Sequence, residues 1–277
     1  MVPELPEVET VRRGLQQLVL GFKIKEVDEF HPRVRKISSL STIKAVEGAR
    51  IVNVNRRGKF LWFELDRPEV LVAHLGMSGQ FLIARRQGPH PKHVRAAFHL
   101  SRGFKSRTLN FNDQRTFGWL SVEGMKDGVP TSAEHIALDP FDAKFDRASV
   151  VKNFARRNMP IKSALLNQAI MSGVGNIYAD ETLWRAKVHP ETLANSLSPR
   201  QIGKVVDRSV EVMGEAIDKG GTSFDDMYIN VNGESGFFEV ALSAYGRTGQ
   251  PCPRCGTPIE RIVIGQRSSH FCPLCQR

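Results

Sequence analysis

Val8, Val11, Leu15 and Leu18 recur at intervals of three and four behind Pro6, the spacing of one buried helix face. Pro6 suits the first helical position, and Glu4, Glu7 and Glu9 crowd the end where a helix favours negative charge. A buried helix is therefore expected almost from the start of the chain, holding Pro3 and Glu4 in a fixed place. From there to about residue 125 the pattern is of short β-type runs, at 51–55, 60–65, 70–73, 81–84, 97–100 and 108–111. Turn formers such as Arg57-Gly58 and Ser101-Arg102-Gly103 separate them, which predicts a β-sandwich or barrel. Residues 126–145 are rich in turn formers and weak in periodicity, and mark a hinge.

Beyond the hinge the pattern turns helical. A short helix is expected over 148–154, then one from Pro160 through Met171, broken by Ser172-Gly173-Val174-Gly175. A helix over 176–186 follows. A longer one starts at Pro199, carries Ile202, Val206, Val210, Met213 and Ile217 on one face, and ends at Gly220-Gly221. Residues 222–247 form a Gly- and Asn-containing segment. Two helices joined by a glycine turn make a plausible clamp for a DNA backbone, with the amides of Gly173 to Asn176 at a helix N-terminus. Such pairs are also common as plain structure.

Composition narrows the class. The 277 residues allow two domains with real cores. No apolar run approaches the roughly 18 residues of a membrane span, and the acidic N-terminus is unlike a signal peptide. A cytoplasmic protein without membrane contact is expected. With 39 Lys and Arg against 29 Asp and Glu, the net charge of +10 points to a polyanionic partner, nucleic acid first. The four cysteines fall in one short stretch as Cys252-x2-Cys255-x16-Cys272-x2-Cys275, the spacing of a four-thiolate zinc site. Two disulfides would need an oxidising compartment that nothing else supports. Four thiolates close the tetrahedron, so this zinc is structural and takes no part in catalysis.

The N-terminus offers chemistry as well as structure. An α-amine has a reference pKa of about 8 against about 10.4 for lysine, so far more of it is free base near neutrality. A proline amine condensed with an aldehyde carbon gives a permanently cationic iminium, a strong electron sink, and a neighbouring carboxylic acid completes a Schiff-base pair. On these ten residues alone, the commoner reading is a helix N-terminus carrying ordinary acidic caps.

Taken together, the segments PELPEVETVRRG (3–14), NRRGKFLWF (55–63), HLGMSG (74–79), DQRTFG (113–118), GVGNIYADE (173–181), KGGTSFDD (219–226) and YGRTGQPCPRCGTPIE (245–260) closely resemble the formamidopyrimidine-DNA glycosylases, bacterial base-excision repair enzymes. The match covers nearly the whole chain. It implies an α+β protein: an N-terminal β-sandwich domain with a leading helix (1–125), the hinge (126–145), a helix-two-turns-helix domain (146–240) and a zinc finger (241–277). It also implies damaged duplex DNA as the partner, held between the lobes by a monomer associated with the bacterial nucleoid.

Residue by residue, the resemblance makes Pro3 the nucleophile at C1′, Glu4 the acid of proton transfer and Glu7 a supporting acid. Lys59 matches a catalytic lysine, otherwise a solvated loop residue. Arg267, in the turn of the zinc hairpin, matches an arginine on the phosphates of the target nucleotide. Asn176, Lys162 and Arg157 match or adjoin phosphate-binding positions, and Asn158 stands where many relatives carry lysine. Met77, Arg115 and Phe117 match a plug, an arginine that pairs with the orphaned base, and a wedge between base steps. Met and Phe at such positions are otherwise core residues. His93, and less directly His90, are carried over as DNA contacts from the basic loop GPHPKHVR.

Two alternatives stay open. An endonuclease VIII-like enzyme would use the same proline on oxidised pyrimidines, although PELPEVET with the full Met77, Arg115, Phe117 set favours purines. A non-catalytic DNA-binding relative is the other, because Val2 precedes Pro3 and an internal proline has no free amine. Valine codons of the form GTG also start translation, so Val2 is expected to be the true initiator, its removal exposing Pro3.

Overall fold

The computed structural model describes residues 3–36, 42–84, 92–221 and 242–277, in two compact units. The first runs to His135 and takes back Gly220 and Gly221. It opens with α1 (Leu5–Val19), which buries Leu5, Val8, Val11, Leu15 and Val19. Eight strands follow: β1 (Lys23–Glu29), β2 (Ile51–Arg57), β3 (Phe60–Leu65), β4 (Arg67–His74), β5 (Gly79–Ala84), β6 (Val94–Arg102), β7 (Lys105–Asp113) and β8 (Trp119–Glu123). They form two antiparallel four-stranded sheets, ordered β1-β6-β7-β5 and β2-β3-β4-β8. Apolar side chains of both sheets and α1 share one core, in which Phe63 meets Phe81 edge to face at 5.5 Å. This is the sandwich that the spacing of short strands predicted.

Strands β1 and β8 were not foreseen. In β1 the buried positions Ile24 and Val27 are three apart, which defeats a search for period two. A register shift between Ile24 and Glu26 brings both onto the core face. The aperiodic stretch after residue 125 contains a small hairpin, β9 (Met125–Lys126) with β10 (Val129–Pro130), turned at Asp127 and Gly128, both with positive φ.

The second unit holds the described residues of 136–219 and 242–277. Helix α2 (Arg147–Ala155) is capped by Asp146, which accepts from the Ala148 and Ser149 amides. α3 (Ile161–Leu166) is shorter than expected. Asn167 ends it in an extended conformation, its side chain accepting from the Ala169 amide at 3.0 Å. α4 (Asn176–Ala186) and α5 (Pro199–Asp218) follow, the latter begun by a Ser198–Gln201 capping box. A two-stranded hairpin, β11 (Glu260–Ile264) with β12 (Arg267–Phe271), closes the chain. Among the described residues no helix is long and apolar enough to cross a membrane.

Candidate active site

Pro3 is buried at the head of α1. Glu4 occupies the N-cap and Glu7 the third helical position, and the two form a capping box in which the Glu4 amide donates to Glu7 Oε2 at 2.9 Å. Both carboxyls are at most 3% exposed, an unusual placement for acids without a task. Gly221 lies against them: a Cβ built on it would stand 3.4 Å from Glu7 Cα, at a φ of +88°. The capping expected of this segment is met by Glu4 and Glu7.

One turn further along α1, Glu9 gathers Arg12, Arg13 and Arg56 at 2.8, 2.8 and 3.1 Å. Burial alone would raise this acid, but the hydrogen bonds and charges of the arginines outweigh it and hold it down at about 2. Arg56 also donates to the Gly58 carbonyl at 3.1 Å. Gly58 supplies the positive φ of the tight turn between β2 and β3, and Lys59 is the next residue. A hydrogen-bonded strut thus runs from the helix that carries Pro3 to the turn that carries Lys59.

His74, at the end of β4, feels that lysine. Burial first and the Lys59 charge second push its pKa down to about 4, so it is neutral at pH 7. Its Nδ1 accepts from the Gly76 amide at 3.1 Å, which places the remaining proton on Nε2. The ring stacks on Trp119 at 5.7 Å and meets Phe60 edge-on at 5.1 Å.

Two loops of this unit carry Met77, and Arg115 with Phe117. Arg115 is exposed, Met77 is half-buried, and Phe117 is 55% exposed where a core phenylalanine would be covered. The loops touch backbone to backbone: a Cβ on Gly76 would lie 2.5 Å from the Phe117 carbonyl. His93 is half-buried beside them, its carbonyl accepting from the Asp113 amide at 2.9 Å. His90 lies outside the described residues.

In the second unit the zinc hairpin turns at Gly265 and Gln266, both with positive φ, and presents Arg267 exposed at the start of β12. The next residue anchors the strand, the Ser268 carbonyl accepting from Lys162 Nζ at 2.7 Å and Asn176 Nδ2 at 3.0 Å. Lys162 corrects its sequence assignment. It is fully buried with its ammonium 2.6 Å from Asp180, so it holds the hairpin in place and does not face a phosphate. Asp180 further accepts from Ser269 Oγ and from the His270 amide and ring nitrogen. The Gly173 amide is likewise engaged, by the Gln168 side chain at 2.8 Å. Arg157 and Asn158 are exposed after α2, as a phosphate contact requires.

The four cysteine sulfurs lie within 4.8 Å of one another. Tetrahedral zinc with bonds of about 2.3 Å sets its thiolates about 3.8 Å apart, so the cluster fits one ion with no ligand position to spare. Cys252, Cys255, Cys272 and Cys275 therefore hold one structural zinc, beneath which Ile259 and Trp184 supply the local packing.

Asp113, Glu9, Arg56, His74 and Asp180 are the residues that motif reading missed or left without a role. Each works through a partner distant in sequence, such as Glu9 with Arg56, and no local spacing signals that.

Comparison with known proteins agrees with this geometry. Models of the formamidopyrimidine-DNA glycosylase N-terminal domain, its H2TH domain and the zinc finger found in FPG and IleRS match residues 2–120, 136–227 and 249–277. A formamidopyrimidine-DNA glycosylase of Nocardioides is 48% identical over 99% of this chain and 94% of its own. The crystal structure of the MutM (Fpg) protein from Thermus thermophilus is 40% identical, with a TM-score of 0.84 over 99% of this chain and 98% of that one. MutM in complex with DNA containing carbocyclic 8-oxo-G superposes with a TM-score of 0.85 at 34% identity, over 99% and 100% of the two chains. The chain belongs to the formamidopyrimidine-DNA glycosylase family, the DNA glycosylases and AP lyases of base-excision repair.

Proposed function

We propose that this chain excises oxidised purines, 8-oxoguanine and formamidopyrimidines, from duplex DNA and then cuts the abasic strand, with the Pro3 amine as nucleophile. The observation that carries this is the buried, locked pair Glu4–Glu7 around Pro3 at the head of α1. In a chain beginning at Pro3, the secondary amine attacks C1′ and the bond from C1′ to the base breaks. Glu4 supplies the proton as the sugar ring opens, leaving an iminium. That cation acidifies C2′, so loss of its proton expels the 3′ phosphate, and a second elimination expels the 5′ phosphate. Lys59 bridges base and phosphate, Arg267 takes the phosphates of the target nucleotide, and Arg157, Asn158 and Asn176 take those of the backbone.

Met77, Arg115 and Phe117 fill the vacancy left by the everted base. The exposure of Phe117 and the shared backbone contact of the two loops support that role. The enzyme acts as a monomer in the bacterial cytoplasm, at the nucleoid. A panel of duplexes tests the substrate class: protein beginning at Pro3 should incise 8-oxoguanine opposite cytosine far faster than thymine glycol. Preference for thymine glycol would favour pyrimidine chemistry, and no incision of either would leave a DNA-binding protein.

A further inference from the structure

Asp113, the last residue of β7, is completely buried and lies in the middle of three loops. Its Oδ1 accepts from the backbone amides of Arg115 at 3.1 Å and Thr116 at 3.0 Å, and its Oδ2 from that of Gly118 at 2.6 Å. Ser78, next to Met77, donates its hydroxyl to the same Oδ1 and accepts from the Arg115 amide at 3.1 Å. The Asp113 amide donates to the His93 carbonyl, while Arg95 donates to the carbonyls of Asp113 and Gln114 at 2.7 and 3.4 Å. The carboxylate of Asp113 is thus tied to the segments that bear Met77 and Arg115 with Phe117, and its backbone amide to His93.

The bonds hold an arrangement that the backbone would not choose alone. Thr116 sits at a φ of 57°, a conformation that β-branched residues rarely adopt. The Gly118 amide needs its acceptor because the residue is buried, packed so closely on β4 that a Cβ there would meet the His74 carbonyl at 3.0 Å. A carboxylate suits the task because it only accepts, and donors converge on both of its oxygens.

We propose that Asp113, with Ser78 as its bridge, is a positioning residue that holds Met77, Arg115 and Phe117 as one preformed wedge before DNA arrives. Base eversion then need not bear the entropic cost of ordering two loops. The inference rests on the wedge role given to those three side chains. Neither Asp113 nor Ser78 touches the reacting atoms, so their loss should be felt where a stacked base must be displaced, and not where the base is already absent.

The test compares single-turnover excision from an 8-oxoguanine:cytosine duplex with strand cleavage at a preformed abasic site, using full chains that begin at Pro3. Base eversion is followed by 2-aminopurine fluorescence beside the lesion. Ser78→Ala should slow excision about tenfold, and Asp113→Asn, which sets an amide N–H against a buried donor, by about a hundredfold. The fluorescence rise should slow by the same factors, abasic cleavage should stay within about threefold, and Ser78→Thr should recover most of the rate. If Asp113→Asn does not fold, the Ser78 pair decides. Equal losses on both substrates, or excision by Ser78→Ala within about twofold of the parent, would overturn the proposal. A parent protein that cuts neither substrate would instead overturn the glycosylase reading itself.

Discussion

Replacing Asp180 by asparagine should loosen the zinc hairpin by taking a carboxylate away from a buried ammonium. Lys162 is wholly buried, and its ammonium has Asp180 Oδ1 at 2.6 Å and the Ser268 carbonyl at 2.7 Å. The amide keeps the shape of the carboxylate but not its charge, so the ammonium loses the carboxylate 2.6 Å away. Breaking a buried pair in this way costs about 3–5 kcal/mol. In a unit of about a hundred residues each kcal/mol lowers the melting midpoint by about 4 °C, so a drop of about 12–20 °C is expected. The double variant Lys162→Met with Asp180→Asn carries no buried ammonium at this position and should melt well above the Asp180→Asn single. Because β12 carries Arg267 one residue before the Lys162 contact, affinity for abasic duplex should fall in step with stability. Calorimetry and a binding titration measure both. A drop below about 4 °C, or a double variant no better than the single, would refute the structural role given to Lys162.

Chelating the zinc, or replacing Cys272 by serine, should abolish duplex binding while the β-sandwich stays folded, since the hairpin's own core is little more than Ile259 with two of the cysteines. Retained binding at the same salt would contradict this. Glu9 predicts an acid limit: its pKa is lowered from 4.5 to about 2, so it binds fewer protons folded than unfolded. Its contribution is present above about pH 4.5 and lost as pH falls toward 2. Glu9→Gln should flatten the acid side of the stability profile over that window, and an unchanged profile would argue against the arginine cluster.

The sequence was most legible where function and local pattern coincide. Helix α1 could be read from its apolar spacing, the zinc site from two cysteine knuckles, and α5 from one apolar face begun by Pro199. Strand β1 was hidden because a bulge lets Ile24 and Val27 share a face at the wrong period. α3 was overextended because the apolar pattern runs past Asn167, whose side chain favours a turn over another helical residue. Lys162 looked like a phosphate ligand because a buried lysine and a solvated one have the same letter. Only the fold shows Asp180, 18 residues away, within reach. Met77, Arg115 and Phe117 could be singled out from sequence, but Asp113, which gathers their loops, could not, since its bond to Ser78 spans 35 residues.

The nucleophile is the centre of the account, and borohydride trapping tests it most directly. Protein beginning at Pro3, mixed with 8-oxoguanine duplex and borohydride, should form a covalent adduct as the iminium is reduced. Peptide mapping should place the link on the N-terminal segment and not on Lys59. Glu4→Gln should bind the damaged duplex but trap little, having lost its proton and kept its shape. Protein that retains Met1 and Val2 carries an amide at the Pro3 nitrogen and should bind without trapping. Equal trapping by that longer chain, or an adduct mapped to Lys59, would contradict the assignment of Pro3.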